Sequence, residues 1–133
     1  MSQSRPPVSD AEREVLRELW DAGPGTVREL QQRLAAGAPS WTRSTVITLL
    51  QRLEKKGYVA SDRSGFAFVF RAIVSREELV VQRVRELAAE LYDGQAGPLM
   101  LAFAQRQRFK PEELAELRRF LDELQSQPKR KKG

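Results

Sequence analysis

Residues 41–57, WTRSTVITLLQRLEKKG, constrain this chain more than any other stretch. Val46, Leu49, Leu50 and Leu53 recur at the i, i+3, i+4, i+7 spacing that predicts a helix buried along one side. At 100° per residue, Ser44, Thr48, Gln51 and Lys55 fall on the opposite side, flanked by Ile47 and Arg52. This outer face is poor in acids and carries short donors near its N-terminal end. Such a face fits a DNA major groove, where Ser, Thr, Gln and Arg match base-edge and phosphate chemistry. It equally suits an ordinary amphipathic surface helix, and the segment alone leaves both readings open.

Its neighbours narrow the choice. Ser9 and Glu12 form a capping box that opens a first helix, with Ala11, Val15, Leu16, Leu19 and Trp20 as its expected buried stripe. Gly23-Pro24-Gly25 ends it. Thr26 and Glu29 form a second capping box, for a shorter helix with Val27, Leu30 and Leu34 facing inward. Gly37-Ala38-Pro39-Ser40 closes that helix and leads into the third. Gly57 stands where a left-handed C-terminal cap belongs. Tyr58-Val59-Ala60 is then a short extended run, Ser61 to Gly65 is turn chemistry, and residues 66–73 are aromatic and β-branched, a hairpin signal. Phe66, Phe68 and Phe70 alternate to one side and are expected to pack against the helices, because an isolated hairpin is only marginally stable. Arg63, Ser64 and Arg71 are left to water or DNA. Three helices followed by a basic-tipped hairpin are the order of a winged helix-turn-helix. Since some winged helices make only protein contacts, a protein-interaction adaptor without sequence-specific DNA binding is the alternative.

Composition removes other classes. The 133 residues contain neither histidine nor cysteine, which excludes disulfides, thiolate zinc sites, cysteine nucleophiles and histidine acid–base catalysis within the chain. There is no glycine-rich phosphate loop, no GxSxG and no compact acidic metal cluster, so neither an enzyme nor a cofactor or metal is expected. Asp10, Glu12 and Glu14 read as helix-start chemistry. No apolar run approaches a membrane span, and the N-terminus lacks the apolar stretch of a secretory signal, so a cytoplasmic location is expected. The net charge is +5 and unevenly distributed. Residues 40–74 hold six bases (Arg43, Arg52, Lys55, Lys56, Arg63, Arg71) against two acids (Glu54, Asp62), residues 75–128 hold eight bases against ten acids, and the terminal KRKKG holds four bases and no acid. Positive charge thus gathers on the candidate groove helix, the wing and the tail, as in nucleic-acid binders.

The remainder reads as a second module. Ser75 and Glu78 start a long helix in which Val80, Val84, Leu87 and Leu91 follow heptad spacing. Asp93-Gly94 stops it. Pro98 is expected at the first position of a short apolar helix containing Leu99 and Phe103, and Pro111 opens a last helix with Leu114, Leu117, Leu121 and Leu124 on one stripe. Thin helices in so short a chain cannot bury all these stripes, so a second copy is the expected cover; folding back on the winged helix is the alternative. The expected organisation is mainly α with a small antiparallel β-wing. A winged helix-turn-helix domain spans residues 1–74, a helical dimerisation region 75–125, and a basic disordered tail 126–133.

The stretches VSDAEREVLRELW, TVREL, WTRSTVITLLQRLEKKGYV, FVFRAIVSREEL and FKPEELAELRRFLDEL together resemble the penicillinase-repressor family of bacterial transcriptional regulators. The resemblance runs from Val8 to Leu124. It implies a homodimeric repressor that binds a palindromic operator in double-stranded DNA through the helix 42–56 and the wing 58–73. Its groove-facing positions correspond to Ser44, Thr45, Thr48 and Arg52. Gln51 and Lys55 share the outer face, and Arg43 and Arg63 are added as backbone contacts. Arg52 suits either a bidentate guanine contact or a phosphate clamp. Where Ser44 stands, a base is frequent in the family, so a different operator is implied. Two departures bear on regulation. Signal-responsive relatives are cleaved by a co-encoded sensor protease within the short apolar helix, at an Asn-Phe bond; here the bond is Ala102-Phe103, and the missing asparagine argues against cleavage. The copper-responsive branch carries a cysteine cluster that is absent here. The basic tail would add nonspecific phosphate affinity.

Overall fold

A computed structural model describes residues 5–38 and 40–127. Of the tail expected over residues 126–133, Ser126 instead closes the last helix, and residues 128–133 lie outside the described residues, as does Pro39. The elements run α1 (Asp10–Ala22), β1 (Gly25–Thr26), α2 (Val27–Gly37), α3 (Arg43–Lys56), β2 (Val59–Asp62), β3 (Val69–Ala72), α4 (Arg76–Leu91), α5 (Ala96–Arg106) and α6 (Pro111–Ser126). The strands form an antiparallel sheet in the order β1-β3-β2. This is the winged-helix order expected from the sequence, with one strand added. Residues through Glu86 make one compact unit and residues from Leu87 onward a second.

Helix starts follow their local chemistry. In both α1 and α2 the capping box is complete: Ser9 Oγ accepts from the Glu12 amide while Glu12 accepts from the Ser9 amide, and Thr26 and Glu29 do the same. The Ser75 amide and hydroxyl are paired with Glu78 in the same way at α4. The Thr26 amide holds Glu29 below the usual carboxylate range, and the Ser75 amide does so for Glu78. Gly23 and Gly57 end α1 and α3 at φ 87° and 90°, a backbone region that penalises side chains.

The core of the first unit is built by Val15, Leu16 and Leu19 of α1, Leu30 and Leu34 of α2, and Val46, Leu49, Leu50 and Leu53 of α3. Val8, Tyr58, Val59, Phe70, Val74 and Leu79 complete it. Burial of each Val or Leu of α3 contributes about 1.5–3 kcal/mol, enough to set which face of that helix points inward.

Several expectations are corrected. Ala11 is exposed, and the inward position at the start of α1 is taken by Glu12, only 1% exposed. Trp20 and Val27 face inward as expected, but they are half-buried and pack against the edge of the core. Thr26 caps α2 as expected, and together with Gly25 it also forms β1 against Val69 and Phe70, a strand that the turn chemistry does not announce. The phenylalanines do not share a buried face: Phe70 is 6% exposed, Phe68 44% and Phe66 111%. Pairing of the ribbon begins only at Asp62 with Val69, so residues 63–68 lie outside the ladder and strand alternation does not govern them. In the second unit, α5 begins at Ala96 and not at Pro98, which sits in the first turn where its missing N–H would be unpaired anyway.

Burial of Glu12 would raise its carboxyl. A 2.7 Å bond from the Lys56 ammonium, the Ser9 amide and the Ser9 hydroxyl outweigh this and hold it below its ordinary 4.5. A carboxyl lowered in the folded state stabilises fully above pH 4.5, and that contribution is lost as pH falls through the lowered value. Glu12→Gln is therefore expected to cost about 1–3 kcal/mol in urea unfolding at pH 7. The gap between variant and parent should narrow steadily below pH 4.5; a constant gap would exclude the ion pair as its source.

Candidate nucleic-acid interface

α3 is held at both ends within the first unit. At its start, Gln31 Nε2 of α2 donates to the Trp41 carbonyl at 2.9 Å, and Thr42 is the N-cap, its Oγ1 accepting from the Thr45 amide. The Thr42 hydroxyl also lies 2.9 Å from the Thr45 hydroxyl and 3.3 Å from that of Ser44, so three hydroxyls cluster at the positive end of the helix. At its end, Lys56 Nζ reaches Glu12 and the Pro7 carbonyl, Arg5 Nε donates to the Gly57 carbonyl, and the buried Tyr58 hydroxyl donates to the Pro6 carbonyl at 2.6 Å. The segment preceding α1 thereby straps the exit of α3.

With its inner face packed and its ends tied, α3 presents Arg43, Ser44, Thr45, Thr48, Gln51, Arg52 and Lys55, all exposed. Ser44, Thr45, Thr48 and Arg52 line one shallow surface cleft of about 230 Å³, with Leu49 at its floor. Among the described residues, Arg43, Arg52 and Lys55 have no carboxylate partner. The sole acid of α3, Glu54, is turned to the wing, where it accepts from Ser61 Oγ at 2.7 Å and Arg63 Nη2 at 3.3 Å. The cleft therefore offers hydroxyl donors and acceptors beside an uncompensated guanidinium.

Arg63 is more engaged than its sequence position suggests. Besides Glu54 it donates to Ser61 Oγ, and its guanidinium lies 4.8 Å from the centre of the Phe68 ring. Asp62 caps the turn beyond: its Oδ1 accepts from the Ser64 hydroxyl at 2.7 Å and the Ser64 amide at 3.0 Å, and these bonds hold its carboxyl below the usual range. Glu54 was not singled out in the sequence. Next to Lys55 and Lys56 it reads as a surface helix acid, and nothing in the spacing announces its hold on residues seven and nine positions later.

The residues expected at a dimer interface are distributed over both units. Val80 is exposed and Val84 half-buried in the first unit, where they line with Trp20 a groove of about 400 Å³ rimmed by Arg13, Arg17, Arg76 and Arg83. In the second unit Leu99 is buried, whereas Leu87, Leu91, Phe103, Leu114, Leu117, Leu121 and Leu124 are exposed. The Phe103 ring meets that of Phe109 edge to face at 6.3 Å. The Ala102-Phe103 bond lies inside α5. No group of side chains among the described residues is arranged to hold a metal ion, and no helix there is long and apolar enough to cross a membrane.

Comparison with known proteins places this geometry in a family. The chain is similar to the penicillinase repressor of Bacillus licheniformis, 27% identical over 93% of this chain and 96% of that protein. It is 33% identical to the transcriptional regulator BlaI of Mycobacterium tuberculosis, over 90% of this chain and 86% of the relative. The solution structure of the DNA binding domain of the repressor BlaI superimposes with a TM-score of 0.50 at 28% identity, covering 58% of this chain and 93% of that domain. The family profile of the penicillinase repressors matches residues 8–123, and the chain belongs to that family.

Proposed function

We propose that this chain is a homodimeric, non-enzymatic transcriptional repressor of the cytoplasm. It binds a palindromic operator in double-stranded DNA with α3 in the major groove of each half-site. The observation that carries the reading is the cleft formed by Ser44, Thr45, Thr48 and Arg52, exposed and without an acid facing it. Ser and Thr hydroxyls there both donate and accept, so they suit base edges and phosphates alike. Arg52, one turn beyond Thr48, reaches guanine O6 and N7 or clamps a phosphate. Arg43, Gln51, Lys55 and Arg63 extend the contact along the backbone. Family membership and the likeness to a repressor's DNA binding domain support the same reading.

The dimer rests on the second unit. All sixteen residues of α6 are exposed, with Leu114, Leu117, Leu121 and Leu124 stepping along one stripe and Phe120 beside it. So much apolar surface on one thin helix calls for a second copy, and two-fold pairing would match a palindrome. A sensor protease is a candidate partner, but Ala102 lacks the asparagine that the resemblance calls for. The Ala102-Phe103 bond also lies within helical backbone, which must unwind before a protease can grip it. Release by another route therefore fits this chain better.

Two outcomes test the reading. Arg52→Ala should weaken binding to a duplex selected by the full chain from a random pool by about 1–3 kcal/mol, with a relaxed preference at one base pair per half-site. Unchanged affinity would remove α3 from the groove. Joint replacement of Leu117 and Leu121 by Glu should convert the dimer to monomer in sedimentation and reduce operator affinity, with helical content retained by circular dichroism. A persistent dimer would move the interface off α6.

A further inference from the structure

The wing carries an aromatic side chain that the fold does not use. Of the three alternating phenylalanines, Phe70 is in the core and Phe68 lies beneath the Arg63 guanidinium, while Phe66 is fully exposed. The base that presents it is nevertheless well tied. Asp62 holds Ser64 through two hydrogen bonds, and Glu54 ties Ser61 and Arg63 to α3. Residues 64–67 carry no charge, whereas Arg63 and Arg71 flank them at the base. Phe66 stands four positions after Asp62 and only three before its ladder partner Val69, so its backbone lies no more than about 10 Å beyond the end of the ladder.

We propose that Phe66 is an apolar wedge that enters the minor groove beside the α3 contact and inserts between two base pairs, partly unstacking them and kinking the duplex. The inference rests on the DNA-binding reading above and deepens it. A phenyl ring gains nothing from phosphate; the apolar surface a duplex can offer it lies between the bases, reached when a step opens. Arg63, paired with Glu54 and stacked on Phe68, and Arg71, opposite Ala60 in the ladder, stay at the base of the wing and leave its tip to the apolar contact. Opening is least costly at the flexible TA and CA/TG steps, so Phe66 confers sequence preference at a position where the protein makes no base hydrogen bond.

The test uses the full chain and a duplex that it selects from a random pool. Labels at the two ends report bending by energy transfer, and 2-aminopurine placed at successive steps outside the α3 footprint reports unstacking. The parent chain is expected to brighten 2-aminopurine at one step per half-site and to shorten the end-to-end distance. Phe66→Ala should lose both signals and bind roughly tenfold more weakly, with an unchanged thermal midpoint because the ring buries nothing; Phe66→Trp should keep both. Replacing the kinked step by a GC step should weaken the parent and leave Phe66→Ala almost unaffected. Bending by Phe66→Ala equal to that of the parent, or no 2-aminopurine signal from the bound parent, overturns the wedge and leaves the α3 assignment standing. A chain that selects no duplex overturns both.

Discussion

The Glu12 carboxylate, almost wholly buried, closes the capping box at the start of α1 and accepts a 2.7 Å bond from Lys56 in the last turn of α3. Each group also suits its own helix: an acid near the positive N-terminal end of α1, a base near the negative C-terminal end of α3. The pair thus joins two helix ends whose dipoles already favour those charges. Removing either partner would strand the other in a largely dehydrated place, at a cost well above that of a surface ion pair. Lys56 further holds the Pro7 carbonyl, while Tyr58 and Arg5 tie the same strap to the exit of α3. The direction in which α3 leaves the core, and hence the direction of its exposed face, follows from this junction.

Because the polar groups at the ends of α3 are satisfied inside the first unit, its outward face is left to other partners. Glu54 is the element that makes this face basic. Turned outward it would oppose Arg52 and Lys55; turned to Ser61 and Arg63 it neutralises the wing's base and couples wing to helix. The same turn withdraws Arg63 onto Phe68, so the wing advances an uncharged tip. Charge and apolar surface are thereby separated, with hydroxyls and a guanidinium on α3 and an exposed aromatic ring on the wing.

Much of this was legible in the sequence where chemistry is local. The Ser9, Thr26 and Ser75 capping boxes, the left-handed Gly57 and the buried stripe Val46, Leu49, Leu50 and Leu53 each depend on residues within two turns of one another, and each is found as read. The outer face of α3 follows from the same periodicity, which alone puts Ser44, Thr48, Gln51, Arg52 and Lys55 on the surface, where they are found. Local pattern fails where a distant partner decides. Ala11 looked more apolar than Glu12, but Lys56, forty-four positions away, makes the inward carboxylate the better solution.

The sequence by itself therefore determined the helices, their caps, the polar stripe of α3 and the concentration of positive charge around it, because these are properties of a few neighbouring side chains and of helical geometry. Tertiary structure alone decided that Gly25–Thr26 adds a third strand, that Glu54 serves the wing, that Ser44, Thr45, Thr48 and Arg52 share one cleft, and that Phe66 stands in solvent. Each depends on where the β2–β3 ladder starts and on groups brought together from separate elements, and no local period encodes either.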